Sequence, residues 1–505
     1  MTSISLVGLS SSDPIPGEYA EINFAQGEAS LGTGVYPALL LGGKTSAGSA
    51  TANTVIYGPD TPVSMSTESD VIALFGAGSE LHRMWRRFTA VNTTTPVYAI
   101  AIPEGSSPVA ATGTITFTNS ATGAVTGRIY VGDEFCEFGI ATGDSVTTIA
   151  VAAKNAVNAK THWPVTADNS AGVLTITAKQ AGLRSNFIRY FAQIRPSGVG
   201  TTVSPTASTL TSSGAVSDSN ATALATILAK RFYYIVSAAE DSTQLTALLS
   251  QVNTQALAVT GIRQRVFAGS VDTLSNAIAI STALNGARAE LVWLAQSDVP
   301  PCELAANIAA VYALEEAPLV PRLNFSSYGD DAKTQPNWKV KAPLSGAAPT
   351  RAQILSALNS GLTPIGVRTS GATYLVKRVT TRFLNGANVD YRIRDAHKVT
   401  ICDRYTDDLI AKAAASLRGK QIADDPKKNE PVPGPTVITP RVLKALINRH
   451  TRDYAENDLL QRVGEIINGT LAIREASPTT RLSAQIPLQP IDILDQIALQ
   501  VNQVA

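Results

Sequence analysis

Charge is scarce in this chain. Only 16% of its residues are Asp, Glu, Lys or Arg, against roughly 25% in an average protein. The two signs also cancel, 41 basic against 40 acidic, for a formal charge of +1. That balance excludes the broad basic field of a nucleic-acid or membrane-surface binder. So little charge on 505 residues suits a protein that buries much of its surface in partners, although Ser, Thr and Asn supply other polar surface. Cysteine is equally sparse. Cys136, Cys302 and Cys402 lie far apart and form no CxxC pair. They read as small buried residues of a reducing compartment, not as a disulfide framework or a zinc site. No apolar stretch approaches the roughly 20 residues of a membrane span. The first residues, Met1-Thr2-Ser3-Ile4-Ser5-Leu6-Val7-Gly8, lack the basic region of a signal peptide. The expectation is a soluble protein that works in the cytoplasm or leaves the cell without a secretion signal.

Motifs for chemistry are also missing. Gly42-Gly43-Lys44-Thr45 imitates the end of a P-loop, but the position five before Gly43 is Ala38. The intervening Leu39-Leu40-Leu41 is strand-like, so no loop exists to wrap a phosphate. Only four histidines are present, His82, His162, His397 and His450. None neighbours a Gly-x-Ser-x-Gly elbow, and a Ser/His/Asp triad would have to be assembled from distant parts. His82 falls on a helix beside an arginine, and His397 follows Arg394 in what reads as a charged strand. Asp403, Asp407 and Asp408 lack the glycine of a calcium loop. They read as acidic residues opening a helix, where the dipole favours them. No cofactor, metal or catalytic residue is expected.

What the chain does have is core. Hydrophobic residues make up 44% of it, and its length allows roughly three domains. Val35-Tyr36-Pro37-Ala38-Leu39-Leu40-Leu41-Gly42-Gly43 is a continuous apolar run, the pattern of a strand buried on both faces. Thr67-Glu68-Ser69-Asp70 resembles a capping box before Val71-Ile72-Ala73-Leu74-Phe75. Gly76-Ala77-Gly78 breaks that helix and Ser79 caps the next. There Leu81, Met84, Trp85 and Phe88 share one face. Pro96-Val97-Tyr98-Ala99-Ile100-Ala101-Ile102 follows as a strand. From about residue 112 to 195 the texture becomes rich in Thr, Gly, Ala and Val, with strands over 114–117, 128–131, 134–138, 173–177 and 187–191. Turn signals separate several of them, and one helix interrupts at 145–159. This reads as a β-rich insertion. Alternating strands and helices then resume from 220 to 314, with Pro301 opening the last helix. Such βα repeats argue for a parallel sheet covered on both faces.

Charge density rises after residue 351. A helix is expected over 353–358, a turn-flanked link over Gly361-Leu362-Thr363-Pro364-Ile365-Gly366, and an alternating strand over 374–382 that meets Asn385-Gly386. Helices are expected over 405–418 and 441–463, and strands over 470–473 and 481–486. The second of those helices carries Arg441, Lys444, Arg449 and Arg452 among mixed charges. These serve either as a solvated face or as a contact with a complementary partner.

The two ends look alike. Near the start, Ala20, Ile22 and Phe24 alternate with Tyr19, Glu21 and Asn23 after the turn Pro14-Ile15-Pro16-Gly17. At the other end, Ile497, Leu499 and Val501 share a face. Both have the period of a half-buried strand, and neither has a neighbouring strand to pair with. They are either ordinary first and last strands of an internal sheet, or arms lent to the edge of a neighbour's sheet.

Three stretches carry a family resemblance. They are Ile15-Pro16-Gly17-Glu18-Tyr19-Ala20-Glu21-Ile22, Ala38-Leu39-Leu40-Leu41-Gly42-Gly43-Lys44, and Phe75-Gly76-Ala77-Gly78-Ser79-Glu80-Leu81. With the β-rich insert and its Gly132-Asp133 turn, and the charged block ending in Arg481-Leu482-Ser483, their order resembles contractile phage tail sheath proteins of the Mu-like type. The resemblance covers nearly the whole chain. It implies an α/β fold: a parallel helix-covered sheet domain, subtilisin-like in fold only, with an inserted β-rich outer module. An α+β C-terminal domain and extended terminal arms complete it. The implied divisions are an arm over 1–30, the sheath domain over 31–104 and 205–345, the module over 105–204, the C-terminal domain over 346–486 and an arm over 487–505. It also implies a structural subunit that polymerises in stacked six-fold rings around a tail tube and contracts to drive the tube through the host envelope. Partners would be further copies of itself, the tube protein, and baseplate and tail terminator proteins, with no nucleic acid and no membrane insertion. Gly17, Tyr19, Ala20, Ile22, Phe24, Ile497, Leu499 and Val501 become the expected arm contacts. Arg441, Lys444, Arg449 and Arg452 become the expected tube-facing residues. The other readings are an α/β hydrolase, or the sheath of a tail-like bacteriocin or secretion machine.

Overall fold

A computed structural model describes residues 36–495, apart from 55, 199, 206–208, 212–218, 229, 319–320, 330–334 and 336. The expected arm contacts Gly17, Tyr19, Ala20, Ile22, Phe24, Ile497, Leu499 and Val501 lie outside the described residues.

The apolar run after Tyr36 forms β1 (Ala38–Gly43), buried along its whole length. Its side chains alternate between two cores. Ala38 and Leu40 join one, Leu39 and Leu41 the other. The capping box is present at α1 (Glu68–Phe75), where Thr67 Oγ1 and the Asp70 side chain exchange bonds with each other's backbone N–H. Ser79 caps α2 (Glu80–Thr89) by accepting from the His82 N–H. The chain then enters β2 (Val97–Ile102), parallel to β1.

Here the main sheet is interrupted. The β-rich insertion contains β3 (Ala110–Thr118), β4 (Val125–Val131), β5 (Glu134–Ile140), α3 (Val146–Asn158), β6 (Val165–Ser170), β7 (Val173–Ala181), β8 (Tyr190–Arg195) and β9 (Thr202–Pro205). They form two antiparallel sheets, ordered β6-β7-β3-β9 and β5-β4-β8. Both pack around Ile115, Ile129, Ile149, Trp163 and Leu174. Two of these strands, β6 and β9, are not apparent in the sequence, because Asp168, Asn169 and Ser170, and Thr202 and Ser204, are turn-type or polar residues. The contacts of this module run on to Thr211, which bridges to Thr112.

After α4 (Ala221–Thr226) the sheet resumes on the other side of β1. The order is β10 (Tyr234–Ser237), α5 (Ser242–Gln255), β11 (Arg265–Ser270), α6 (Leu274–Leu284), β12 (Ala289–Trp293) and α7 (Pro301–Glu316). Helices α2 and α7 cover one face, with Leu81, Met84 and Phe88 against Leu304 and Ile308. The other face is covered by Leu245, Leu248 and Leu249 of α5 and Ala277 and Leu284 of α6. Helix α7 is buried almost all round, as expected of a helix without a polar stripe.

The segment expected as a helix and a link is part of this sheet. Helix α8 (Arg351–Asn359) leads into β13 (Leu362–Val367), which pairs parallel with β12, and β14 (Thr373–Leu375) returns antiparallel. The full order is β14-β13-β12-β11-β10-β1-β2. Pro364 disguised β13, since proline inside a run argues against a central strand. Thr363 compensates on the next residue. Its hydroxyl accepts from Val379 N–H and donates to Val379 O. The residues from 351 to 375 therefore belong with the sheet and not with the block that follows. The alternating strand expected over 374–382 is realised only in β14.

The C-terminal block contains the hairpin β15 (Leu384–Asn385) and β16 (Asn388–Val389), then α9 (Ala396–Leu417). Next come β17 (Gln421–Ile422), β18 (Val437–Ile438), α10 (Pro440–Ala455), α11 (Val463–Gly469), β19 (Leu471–Arg474) and β20 (Leu482–Gln485). Two expectations are corrected. His397 is in the first turn of α9 and not in a strand; the β-branched residues Val399, Thr400 and Ile401 imitate a strand there. The helix expected over 441–463 ends at Ala455. Asp458 and Arg462 adopt left-handed conformations, with φ of 57° and 51°, and the chain bends so that Leu459 and Leu460 reach a core with Ile401, Tyr405, Tyr454 and Ile466.

Candidate assembly surface

A buried ionic seam joins the C-terminal block to the main sheet. Glu290 of β12 is fully buried and accepts from Arg378 Nε and Nη2, at 2.9–3.1 Å, and from Arg265 of β11. Arg378 also reaches Glu316 at the end of α7, and Arg265 donates to Thr400 Oγ1 of α9 at 2.7 Å. A second group follows along α9. Arg288 makes a bidentate bond to Asp403, at 2.7 and 2.8 Å. Arg231 and Arg263 pair with Asp407. The carboxylates read as opening a helix thus lie within a long one, and arginines at the strand starts hold two of them. Burial alone would raise the Glu316 carboxyl, but Arg378 and Arg265 outweigh it and hold it below the usual range. Removing either sign of charge from such a cluster leaves the other uncompensated in a dry site.

The described chain enters and leaves along α9. At its start, the Tyr36 ring lies 4.7 Å from Tyr233, and its hydroxyl donates to Asp407 Oδ2 at 3.4 Å. At its end, residues 488–495 form a strap. Leu488 is buried, Gln461 N–H donates to Gln489 O, and Ile491 N–H donates to Leu459 O. Asp492 pairs with Lys398 at 2.7 Å, and Asp495 with Lys377. His397 reaches Ile491 O at 3.3 Å; burial pushes its imidazole well below its ordinary value. His397 and Asp407 lie ten positions apart, so the two ends of the described chain meet α9 within about 15 Å along its axis.

Strands β19 and β20 pair antiparallel, and no further strand pairs with either among the described residues. Neither strand has a fully buried residue, and Leu471 is 42% exposed. A lone two-stranded hairpin is marginally stable in water, and an edge strand is a place where a further strand can add. Helix α10 lies beside it. Its buried face is Ile447, His450, Thr451 and Tyr454. Arg441, Arg449 and Arg452 are exposed on the opposite side, with Lys444 half-buried at its flank. Among the described residues these cations make no side-chain ion pair, so the structure brings them together as one basic face.

Among the described residues the histidines do not form a triad. His82 accepts from Gly78 N–H at 3.0 Å and meets Glu68, His162 meets Glu134, and His450 meets Tyr405 O and Lys412. No serine hydroxyl contacts an imidazole among the described residues. The imitation of a P-loop is the end of β1 and its turn. A side chain at Gly43 would meet the inserted module's Gln180 Nε2 at 2.0 Å, and Glu80 bonds both to the Gly43 N–H and to Arg184. The crevice where α/β sheets usually bind ligands is thus filled from within the chain. Sequence reasoning missed the ionic seam entirely. Its signal was the placing of Arg263, Arg265, Arg288 and Glu290 at the starts of apolar strands.

No family model matches the chain. It is 26% identical, over 253 residues, to the Mu-like prophage FluMu tail sheath protein of Haemophilus influenzae. The match covers 49% of this chain and 49% of that relative, so the chain is matched over about half of its relative's length. Solved structures that superpose loosely on it include the sheath tail protein of Listeria innocua, at TM-score 0.47 and 10% identity, covering 93% of this chain and 95% of that one. The anti-feeding prophage helical sheath in its contracted state also superposes at TM-score 0.47 and 10% identity, over 97% and 100%. The resemblance read from the residues and the FluMu match point to the same family, the Mu-like tail sheath proteins.

Proposed function

We propose that this chain is the structural, non-catalytic subunit of a contractile tail sheath. In this reading it polymerises around a tail tube in stacked six-fold rings and contracts to drive the tube through the host envelope during DNA delivery. The observation that carries the reading is the 26% identity to the FluMu tail sheath protein. The subunit is assembled in the host bacterial cytoplasm and resides in the virion tail.

The arms, over 1–30 and the part of 487–505 that lies beyond the strap ending at Asp495, hold neighbours together by adding strands to a hairpin in the next subunit. The two-stranded β19–β20 sheet, with no third strand among the described residues, supports that role. Main-chain hydrogen bonds of an added strand survive rigid-body movement of the subunits, so the mesh stays connected as the stack shortens. Gly17, Tyr19, Ala20, Ile22, Phe24, Ile497, Leu499 and Val501 form the lent strands. Tyr36 and the strap over 488–495 both contact α9, whose carboxylates are locked to the sheet, which supports transmission of arm tension into the main body. The basic face of α10 meets the tube, and the insertion faces outward. Baseplate and terminator proteins bind the two ends of the stack.

Expression of the chain alone, followed by negative-stain electron microscopy, tests the reading. Hollow striated tubes are expected. Monomers that stay monomeric in the presence of tube and baseplate would overturn it.

A further inference from the structure

The outer face of the β5-β4-β8 sheet carries three aromatic rings in a row. Tyr130 of β4 stands opposite both Phe135 of β5 and Phe191 of β8 in the strand register. The Tyr130 ring centroid lies 5.4 Å from that of Phe135 and 6.0 Å from that of Phe191. Phe135 is 43% and Phe191 47% exposed. The inward side chains of the same strands, among them Ile129, Cys136 and Ala192, fill the module's core. These rings are therefore surplus to folding.

The next row along the strands is polar. Arg128 stands opposite Glu137 and Gln193. Arg128 and Glu137 pair at 2.5 Å, and the Arg128 guanidinium lies 4.7 Å from the Phe135 centroid. Gln193 Nε2 donates to the Tyr130 hydroxyl at 2.7 Å. This network holds Tyr130 in place and leaves the amide oxygen of Gln193 and the second oxygen of Glu137 available.

We propose that this face is a binding platform for a neutral, pyranose-bearing glycan. The C–H face of a sugar ring stacks on an aromatic face, whose quadrupole is negative. Its hydroxyls then meet a row of donors and acceptors about two residues, or roughly 7 Å, away along the strands. Charge selects the class. The Arg128–Glu137 pair neutralises the centre of the face, so it suits an uncharged polyhydroxylated partner. Area argues against a second copy of the chain. Two half-exposed rings and a more buried third offer at most a few hundred Å², against roughly 800 Å² per partner for a stable protein interface. The proposal stands whether or not the chain is a sheath subunit.

The test measures binding of the full chain to immobilised pentasaccharides: neutral glucose, mannose and N-acetylglucosamine oligomers, and acidic galacturonate. Retention on at least one neutral oligomer is expected. F135A/F191A should weaken it by at least about tenfold, and Gln193→Ala by less. Arg195→Ala, which removes a cation at the far end of the face, should leave it unchanged. Phe191→Ala alone serves if the double variant fails to fold. No retention on any neutral oligomer, or retention untouched by the ring variants, would overturn the proposal. So would binding to galacturonate alone that is lost with Arg195→Ala. Ring variants that bind no glycan but change self-association in sedimentation would show the face to be a contact between copies instead.

Discussion

Glu290→Gln is the perturbation with the clearest expected magnitude. In the wild type, the guanidiniums of Arg265 and Arg378 face the carboxylates of Glu290 and Glu316. The cluster is electrically neutral, and its side chains are at most 3% exposed. Glutamine keeps the shape and one acceptor oxygen but leaves one buried positive charge without a counterpart. Breaking a buried pair in this way costs about 3–5 kcal/mol, a large part of the 5–15 kcal/mol that typically separates folded from unfolded protein. Urea unfolding followed by tryptophan fluorescence would read the cost as a lowered midpoint at unchanged slope. Trp293, on the same strand and fully buried, is well placed to report it. The second variant, R265M/E290Q, removes the orphaned cation and restores neutrality, so it should be more stable than the single one. A cost for Glu290→Gln below about 1 kcal/mol, the range of exposed pairs, would refute the reasoning. So would a double variant no better than the single.

Further predictions concern pH, the arms and the basic face. His450 is buried between Tyr405 and Tyr454, and burial, then Lys412, pushes its imidazole down to about 4. Below an unfolded value near 6.5 the unfolded chain binds the extra proton first. Stability is therefore present above about 6.5 and lost as pH falls toward 4, by about 3 kcal/mol; melts of wild type and His450→Gln at pH 7 and pH 5 should show a shallower slope in the variant, the remainder coming from groups such as His397 that are also held low by burial. Deleting residues 1–24, or those after Asp495, should leave the far-UV spectrum intact and abolish polymerisation in sedimentation. Cutting at Leu488 instead should also destabilise, because it strips the strap from α9. Charge reversal at Lys444 or Arg449 should weaken co-sedimentation with tail tubes while assembly of the chain itself stays normal.

The sequence is legible where local chemistry decides. Thr67 and Asp70, and Ser79, cap the helices they announce, and the βα alternation after residue 220 yields a parallel sheet. It is illegible where a distant partner decides. Pro364 sits in a strand because β12 and β14 flank it, and α9 starts at Ala396 because its first turns are buried against the sheet. The same holds for the site. The basic stripe of α10 follows from helical spacing, whereas the arginine–carboxylate seam needs strands and helices far apart in the chain to be brought together. Their place at the starts of apolar strands is the local sign of burial for Arg265 and Glu290, but nothing local shows which opposite charge each one meets.

The measurement that bears most directly on the sheath reading is negative-stain electron microscopy of the purified chain, alone and with tube and baseplate. The account predicts hollow tubes with a striated wall, lost on deletion of either arm. A chain that remains monomeric with both partners present would contradict it.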